Sequence, residues 1–500
     1  MLIPATRLKI LNDAPVNLEK DYVLYWMTTA RRTRDNFALQ HALNLCREYN
    51  KPLLVFEALR FDHRWASDRV ASYIIDGMRS NSVNFEKAHV AYYPYIEPIK
   101  DAAKGLLAAL ADSAVHMVTD HFPSYFLSRM VQASASKVSA RLDLVDGNGL
   151  CPLDYAPRTF QTAYSFRRFL QQNMSPFLDE FPDPQPLQHT RFTNRAQVSA
   201  RIQETWPAAR LSSVDTRCND ALMPNGLRYQ IGRVDERGGE KAALDRWQRF
   251  LKERSDKYDT DRNHPSKTGT SRMSALLHFG HISSHRLVRD LLSSANWTID
   301  DASRINKGSR AGWWNLSPAI EGYLDQIITW RELGYVFCHR NPTDYFKYES
   351  LPPWARETLS VHASDPREFT YDLDTLDKAA THDELWNAAQ RQLTSEGYIH
   401  NYLRMLWGKK IIEWSASPQD AFAYVVELNN RYALDGRNPN SWSGICWTFG
   451  RFDRPWGPER PIFGKIRFMS SANTARKLKV KDYIAQYGQL ERQDRLPGLE

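Results

Sequence analysis

The sequence predicts a chain in two parts: a parallel, Rossmann-like α/β sheet over residues 1–176 and an all-helical part over 238–500, with an interdomain connection at 177–237. Three observations carry that reading. At 500 residues the chain is longer than one hydrophobic core usually serves, so two domains are the expectation. Up to about Leu150, short runs rich in β-branched and aromatic residues alternate with helical stretches, the signature of parallel strands joined by crossover helices. Beyond Gly238 the apolar spacing becomes that of helices.

The strands expected in order are DYVLYWM at 21–27, PLLVFEA at 52–58, HVAYY at 89–93, AVHMVTD at 114–120 and RLDLV at 141–145. No GxGxxG or Walker sequence accompanies them, so a conventional dinucleotide or P-loop site is not supported. From Phe177 to Arg237 the chain is rich in proline and polar residues (FLDEFPDPQPLQ and onward), as connections are. In EKAALDRWQRFLKER, residues Ala243, Leu244, Trp247, Phe250 and Leu251 fall on one helical face.

Composition excludes several classes. No apolar run is long enough to span a bilayer, and MLIPATRLKILND lacks the features of a secretory signal, so a membrane role is not expected. Cys46, Cys151, Cys218, Cys338 and Cys446 are odd in number and scattered without a CxxC pair, which argues against a disulfide framework or a metal cluster and fits a reducing cytoplasm. His278, His281 and His285 are spaced for one helical side but have no acidic or cysteine partners, so packed histidines are expected there and no metal. The net charge of +8 is modest. It concentrates between Arg451 and Lys479, where eight basic residues face only Asp453 and Glu459 and interleave with Phe452, Trp456, Phe463 and Phe468. Cations beside aromatics suit a phosphate backbone with unstacked bases, and they equally suit a solvated basic face.

The densest segment runs from His400 to Arg467: HNYLRMLWGKKIIEW, VELNNRYALDGRNP and SWSGICWTFGRFDRPWGPERPIFGKIR, with five tryptophans. Trp407 and Trp414 are two helical turns apart, roughly 10 Å along one face. From the residues alone such a stripe reads as core packing. GTSRMS at 269–274 offers hydroxyls and small residues for a turn facing an anion, or an ordinary N-cap.

These stretches, taken in order with TTARRTRDNFAL at 28–39, GGEKAAL at 238–244, TSRMSALLHFGHIS at 270–283, TWREL at 329–333, HASDPREFTYDL at 362–373 and LWNAAQ at 385–390, resemble the class II branch of the photolyase/cryptochrome flavoproteins, in particular the cyclobutane pyrimidine dimer (CPD) photolyases. The resemblance places Asp35 and Asn36 at signature positions of the opening segment. It implies the photolyase/cryptochrome fold: an α/β domain with room for an antenna chromophore of deazaflavin or folate type, then a helical domain holding U-shaped FAD. The implied partner is UV-damaged DNA, and the implied enzyme is a carbon–carbon lyase, monomeric and cytoplasmic, at the nucleoid in a prokaryote.

The resemblance also assigns roles. Thr270, Ser271 and Ser274, with Tyr258, would contact the flavin phosphates, while Arg404 and Asp435 would flank its ring and Asn429 would stand at its reactive nitrogen. An amide at that position can donate or accept a hydrogen bond as the flavin changes redox form. Trp407, Trp386 and Trp414 would form an electron-transfer chain in that order, with Tyr371 as terminal donor. Trp330 and Trp447 would flank the flipped-out lesion and Met405 would line its pocket. Arg454, Trp456 and Arg467 would fill the vacated gap and bind neighbouring phosphates. One position departs from the pattern: Gln326 stands where CPD photolyases generally carry a glutamate. The (6-4) photolyases tolerate glutamine there, but they place histidines where this chain has Asn401 and Met405. A (6-4) enzyme and a cryptochrome-like blue-light sensor are the alternatives. A nonenzymatic single-strand binder would account for the basic aromatic segment but not for Asn429, Arg404 and Asp435.

Overall fold

The computed structural model describes residues 2–60, 62–190, 192–211, 227–304 and 307–488. The chain forms two compact units, one of Met1–Arg158, Leu170–Leu251 and Arg272–Ala302, the other of Thr159–Phe169, Lys252–Ser271 and Ser303–Glu500.

The first unit is built on a sheet of β1 (Leu8–Ile10), β2 (Tyr22–Met27), β3 (Leu53–Leu59), β4 (Ala91–Ile96), β5 (Ala114–Asp120) and β6 (Leu142–Val145), in the order β1-β6-β5-β2-β3-β4. All neighbours are parallel except β1, which pairs antiparallel with β6 at the edge. Each of the five runs expected from sequence falls on a strand; β1, only three residues long, is too short to show a pattern. Every residue of β2 is buried. Its side chains alternate between two cores, Tyr22, Leu24 and Trp26 packing with Leu106, Leu110 and Leu142, and Val23, Tyr25 and Met27 with Phe37, Leu39 and Leu43. A strand covered on both faces has no polar side to show, which is why it reads as a continuous apolar run.

The strand order reverses between β2 and β5, where open α/β sheets commonly seat a ligand beyond the strand ends. Here the chain's own turn occupies that place. Asp120, at the end of β5, accepts hydrogen bonds from Thr28 N, Thr29 N and Ala30 N at 2.8, 2.9 and 3.1 Å and from the Tyr25 hydroxyl at 2.8 Å. Asn36 then caps the helix Phe37–Tyr49 by accepting from Leu39 N and donates to the carbonyls of Ala30 and Arg32. Asp35 sits at a φ of 48° and is held by Arg289 at 2.6 Å.

The expected connection at 177–237 is packed against this unit as far as its described part up to Leu211 reaches. Ala196 and Ile202 join the sheet's core, and the Trp206 indole donates to the Ala102 carbonyl at 2.8 Å. The apolar residues scattered among its prolines hold it there. Cys218 lies outside the described residues, and the other four cysteines are free and buried. The helix Glu240–Glu253 also groups here through Leu251, because buried Glu240 accepts from Thr33 N and Arg34 N at 2.7 and 3.0 Å. The three histidines do not share one helix: His278 ends the helix Ser274–His278, His281 lies in the following turn, and His285 begins the helix Ser284–Ser294. His281 is pushed down to about 3 by burial and by Arg31 and Arg32, and its Nδ1 accepts from Gly239 N. Among the described residues no group of three or more His, Cys, Asp or Glu is placed to hold a metal ion, and no helix is long and apolar enough to cross a membrane.

The second unit is helical. Its central helix, Asn401–Trp414, packs against Glu384–Glu396, Pro418–Tyr432 and Pro439–Thr448. Two glycines permit neighbouring helices to come close to Pro439–Thr448. A Cβ on Gly408 would lie 2.8 Å from Thr448 Cγ2, and one on Gly334 would lie 2.9 Å from the Pro439 carbonyl oxygen and the Asn440 Cα. Side chains of Asp383, Ser417 and Asn438 cap three of these helices.

Asp120→Ala would strand three turn N–H groups and a tyrosine hydroxyl. A loss on the order of 3 kcal/mol of stability is expected, measured by urea unfolding. Asp120→Asn, which keeps one acceptor oxygen, should lose less.

Candidate active site

Seven of the residues assigned to the site from sequence, Trp386, Arg404, Met405, Trp407, Trp414, Asn429 and Trp447, lie on the central helix and the three helices packed against it. Trp407 and Trp414 lie on the helix Asn401–Trp414, and Trp386, from the helix Glu384–Glu396, stands between them in space. The Trp386 ring is stacked on Trp407 at 6.4 Å between centroids with 4° between planes, and meets Trp414 edge-on at 5.7 Å. All three are almost wholly buried, at 0%, 2% and 2% exposure for Trp386, Trp407 and Trp414. Each inner indole is fixed by its N–H: Trp386 donates to the Trp407 carbonyl at 3.0 Å and Trp407 to Gln390 Oε1 at 2.9 Å. Tyr371 continues the row at 5.6 Å from Trp414 and bonds through its hydroxyl to the exposed His382 at 2.8 Å. The row therefore runs from the interior to solvent.

Asn429 is buried on the helix Pro418–Tyr432, and its Nδ2 donates to Ser441 Oγ at 2.8 Å and to Asn430 Oδ1 at 3.2 Å. Both bonds commit the amide nitrogen, so the oxygen is what this side chain presents. Asn430 Oδ1 also accepts from Arg437 N at 2.8 Å. Arg404 pairs with Asp435 at 3.1 Å, with 24% and 14% of their side chains exposed, so the pair is partly open to solvent. Arg404 Nε and Asn430 Nδ2 are buried donors with no acceptor among the described residues. Buried N–H groups without acceptors are costly, and a ligand rich in acceptors would remove that cost.

Tyr258 is buried edge-on to Tyr323 at 5.0 Å, and burial raises both hydroxyls above the ordinary range. The Tyr323 hydroxyl donates to Ser271 Oγ at 2.9 Å, and Thr270 Oγ1 lies 3.4 Å from the Tyr398 hydroxyl. Ser274 opens the short helix Ser274–His278 and belongs to the first unit.

Gln326 and Trp330 lie on a π-helical turn, Asp325–Trp330, between the α-helices Pro318–Leu324 and Arg331–Arg340. Within that widened turn both are half-buried while Ile327, Ile328 and Thr329 are buried, so the two share the open side. π-turns of this kind are frequent at functional sites. Buried Asp325, beside them, is held by Arg167 at 2.7 Å. Met405 is half-buried one turn before Lys409 on the central helix, and half-buried Trp447 receives the Lys409 ammonium 5.2 Å from its ring centroid.

Arg454 and Arg467 both lie over the Trp456 ring, at 4.2 and 4.0 Å, and Arg467 also lies 5.6 Å from Trp447. Asp453 holds Arg467 through two bonds of 2.7 and 3.0 Å. Burial works to raise the Asp453 carboxyl, but the Arg467 and backbone hydrogen bonds outweigh it and hold the group below its usual range. The basic excess read from sequence is thus partly spent on partners within the chain. Lys465 pairs with Glu459 at 3.1 Å, and Arg451 packs 4.3 Å from the Phe337 ring, its guanidinium disfavoured by burial. Arg454, Arg460, Arg476, Lys477 and Lys479 remain exposed.

Sequence reasoning missed Gln390, Asn430, Ser441 and Lys409. Gln390 and Asn430 stand inside quoted motifs, but nothing in their spacing marks them as partners of Trp407 and Asn429. Lys409 carried the one available signal: a lysine within a helix whose other positions are mostly apolar.

No protein-family model matches the chain. It is similar over its whole length to deoxyribodipyrimidine photo-lyase of Methanothermobacter thermautotrophicus, with 31% identity covering 100% of this chain and 99% of that protein. It is likewise similar to deoxyribodipyrimidine photo-lyase of Arabidopsis thaliana, with 30% identity over 96% of this chain and 92% of the relative. Among solved structures it superposes on a class III photolyase from Agrobacterium tumefaciens, with a TM-score of 0.66, 18% identity, and 95% of this chain and 88% of that one covered. It also superposes on a cryptochrome from Synechocystis, with a TM-score of 0.64, 14% identity, and 95% and 90% covered. The fold is that of the photolyase/cryptochrome flavoproteins, and the extent of the sequence relationship goes further: the chain belongs to the deoxyribodipyrimidine photolyase family.

Trp386→Phe removes the N–H that grips the Trp407 carbonyl and leaves a small void among buried rings. A loss of about 1–3 kcal/mol in chemical unfolding is expected, while Trp414→Phe, whose indole N–H holds no such bond, should cost less.

Proposed function

We propose that the chain is a class II photolyase that uses light to split cyclobutane pyrimidine dimers in DNA. The observation that carries the reading is the row Trp407, Trp386, Trp414 and Tyr371, running from interior to solvent in a full-length relative of deoxyribodipyrimidine photo-lyases. Those relatives are named as lyases, which favours repair over sensing.

The residues present fit FAD. The unspent donors Arg404 Nε and Asn430 Nδ2 suit its acceptor-rich ring system, and the Thr270 and Ser271 hydroxyls beside Tyr258 suit its pyrophosphate. FAD, bound in its reduced form, supplies the photoexcited electron that opens the dimer. Arg404 contributes a fixed positive charge that favours an anionic ring, and Asp435 keeps that guanidinium oriented. Asn429, its amide nitrogen held by Ser441, would have its amide oxygen free to accept from a flavin N–H. The three indoles provide hopping steps for an electron entering from the side of Tyr371.

For the substrate, Trp330 and Trp447 present half-buried aromatic surfaces and Met405 a soft apolar one. A pyrimidine dimer stacks poorly in a duplex and costs less to extrude than a normal pair, so such a pocket selects it. The Gln326 amide can donate to a base carbonyl but cannot change its charge during turnover. Arg454, Trp456 and Arg467 suit the gap and the phosphates around it.

The reading is tested with two duplexes, one carrying a thymine cyclobutane dimer and one a (6-4) photoproduct, given to chemically reduced protein under light. Reversal of the dimer is expected; reversal of only the (6-4) duplex would overturn the substrate, and reversal of neither would favour a sensor. A second measurement isolates the indole row. Trp407→Phe should abolish photoreduction of oxidised, flavin-loaded protein while dimer repair by chemically reduced protein stays largely intact, and loss of both would assign Trp407 a structural role.

A further inference from the structure

Lys409 is fully buried on the central helix, yet among the described residues no carboxylate pairs with it. Its ammonium donates to the Thr448 carbonyl at the end of the helix Pro439–Thr448 and sits over the Trp447 ring at 5.2 Å. The neighbouring Lys410 is different, since Glu413 pairs with it at 2.8 Å. The charged groups facing Lys409 are Asp453 and Arg467, whose charges oppose each other and which are bonded to one another. Lys409 therefore stands as a desolvated charge with one carbonyl and one aromatic face for company. An apolar residue of the same length would cost the fold less, so stability does not account for a lysine here. Trp447 supplies the reason: the ring is only half-buried, while the Lys409 cation against it is sealed and Arg467 lies 5.6 Å from the same ring. Attraction between an ammonium and an indole face is worth about 0.5–2 kcal/mol, more when desolvated, and fixes the ring's orientation.

We propose that Lys409 is a positioning residue whose protonated side chain anchors Trp447 from below, so that the ring meets an extruded pyrimidine dimer in one orientation and dimer recognition depends on that charge. This rests on the reading of Trp447 as a lesion-flanking residue. Burial, with Arg467 acting in the same direction and Asp453 against it, pushes Lys409 down to about 7. The charge is then lost near neutrality rather than in the ordinary lysine range. Because the folded value lies below the unfolded one, the unfolded chain binds more protons across the window from about 7 to 10.5, and this residue makes stability rise with pH there.

The test measures the ratio of affinities for a thymine-dimer duplex and the same duplex undamaged, in the dark, with flavin-loaded protein. Contacts to phosphates common to both duplexes cancel in that ratio. In the wild type the ratio should fall several-fold as pH rises from about 6 to about 8.5. Lys409→Met should start about tenfold lower at the acid end and show no fall, with flavin content and photoreduction through the indole row unchanged and melting temperature equal or higher. Lys409→Gln keeps a donor for the Thr448 carbonyl without the charge, and it should match Lys409→Met rather than the wild type. A wild-type ratio in either variant, or a flat wild-type pH profile, would overturn the assignment of Lys409 while leaving the photolyase reading intact. A wild type that does not prefer the dimer duplex at any pH would instead overturn the lesion-flanking role of Trp447, and that of Lys409 with it.

Discussion

The helix Asn401–Trp414 is surrounded by three others, and most of what the second unit can do follows from that enclosure. A helix with neighbours on several sides cannot present one apolar stripe and one polar one, so its sequence mixes Leu403, Leu406, Trp407, Lys409, Ile411 and Trp414, all buried. Its polar groups must then find partners inside. Trp407 finds Gln390, Lys409 finds the Thr448 carbonyl, and Arg404, nearer the helix start, finds Asp435. Each partner comes from a different neighbouring segment. The same enclosure gives one side of the helix to the indole row and another to the cation beneath Trp447.

The parts legible in the sequence are those where a local pattern decides. The strands at 22–27, 53–59 and 114–120 are apolar runs because both faces of the sheet are covered, and the helical texture after Gly238 follows from its spacing. The parts not legible are those where a partner comes from elsewhere in the chain. Trp407 and Trp414 gave their separation along one helix, but the ring that joins them belongs to another. The π-turn at Asp325–Trp330 leaves no mark in DQIITW. The Pro-rich stretch after Phe177 reads as an interdomain connection because Ala196, Ile202 and Trp206 are too widely spaced to announce that they pack on the sheet.

Charge shows the same division between composition and placement. The excess of cations after Arg451 is a property of the sequence, whereas their availability depends on which carboxylates and rings lie beside them. Asp453 converts Arg467 from a mobile surface cation into a fixed plate stacked on Trp456, with Arg454 on the same ring. A guanidinium held in this way loses little freedom when it meets a planar or anionic ligand. Rigidity, rather than the number of charges, is what this segment gains from its acidic residue.

The two glycines beside Pro439–Thr448 have a mechanical consequence. Gly408 lets the central helix approach one side of it and Gly334 lets Arg331–Arg340, the continuation of the π-turn, approach it as well. At Gly334 the backbone of one helix meets the Pro439 carbonyl and the Asn440 Cα of the other, with only the small Ser443 hydroxyl beside them, and at Gly408 the backbone meets the Thr448 side chain. The spacing of Arg331–Arg340 and Pro439–Thr448 is therefore set as by a calliper closed on its stop: a single added methyl at Gly334 could be housed only by sliding one helix against the other.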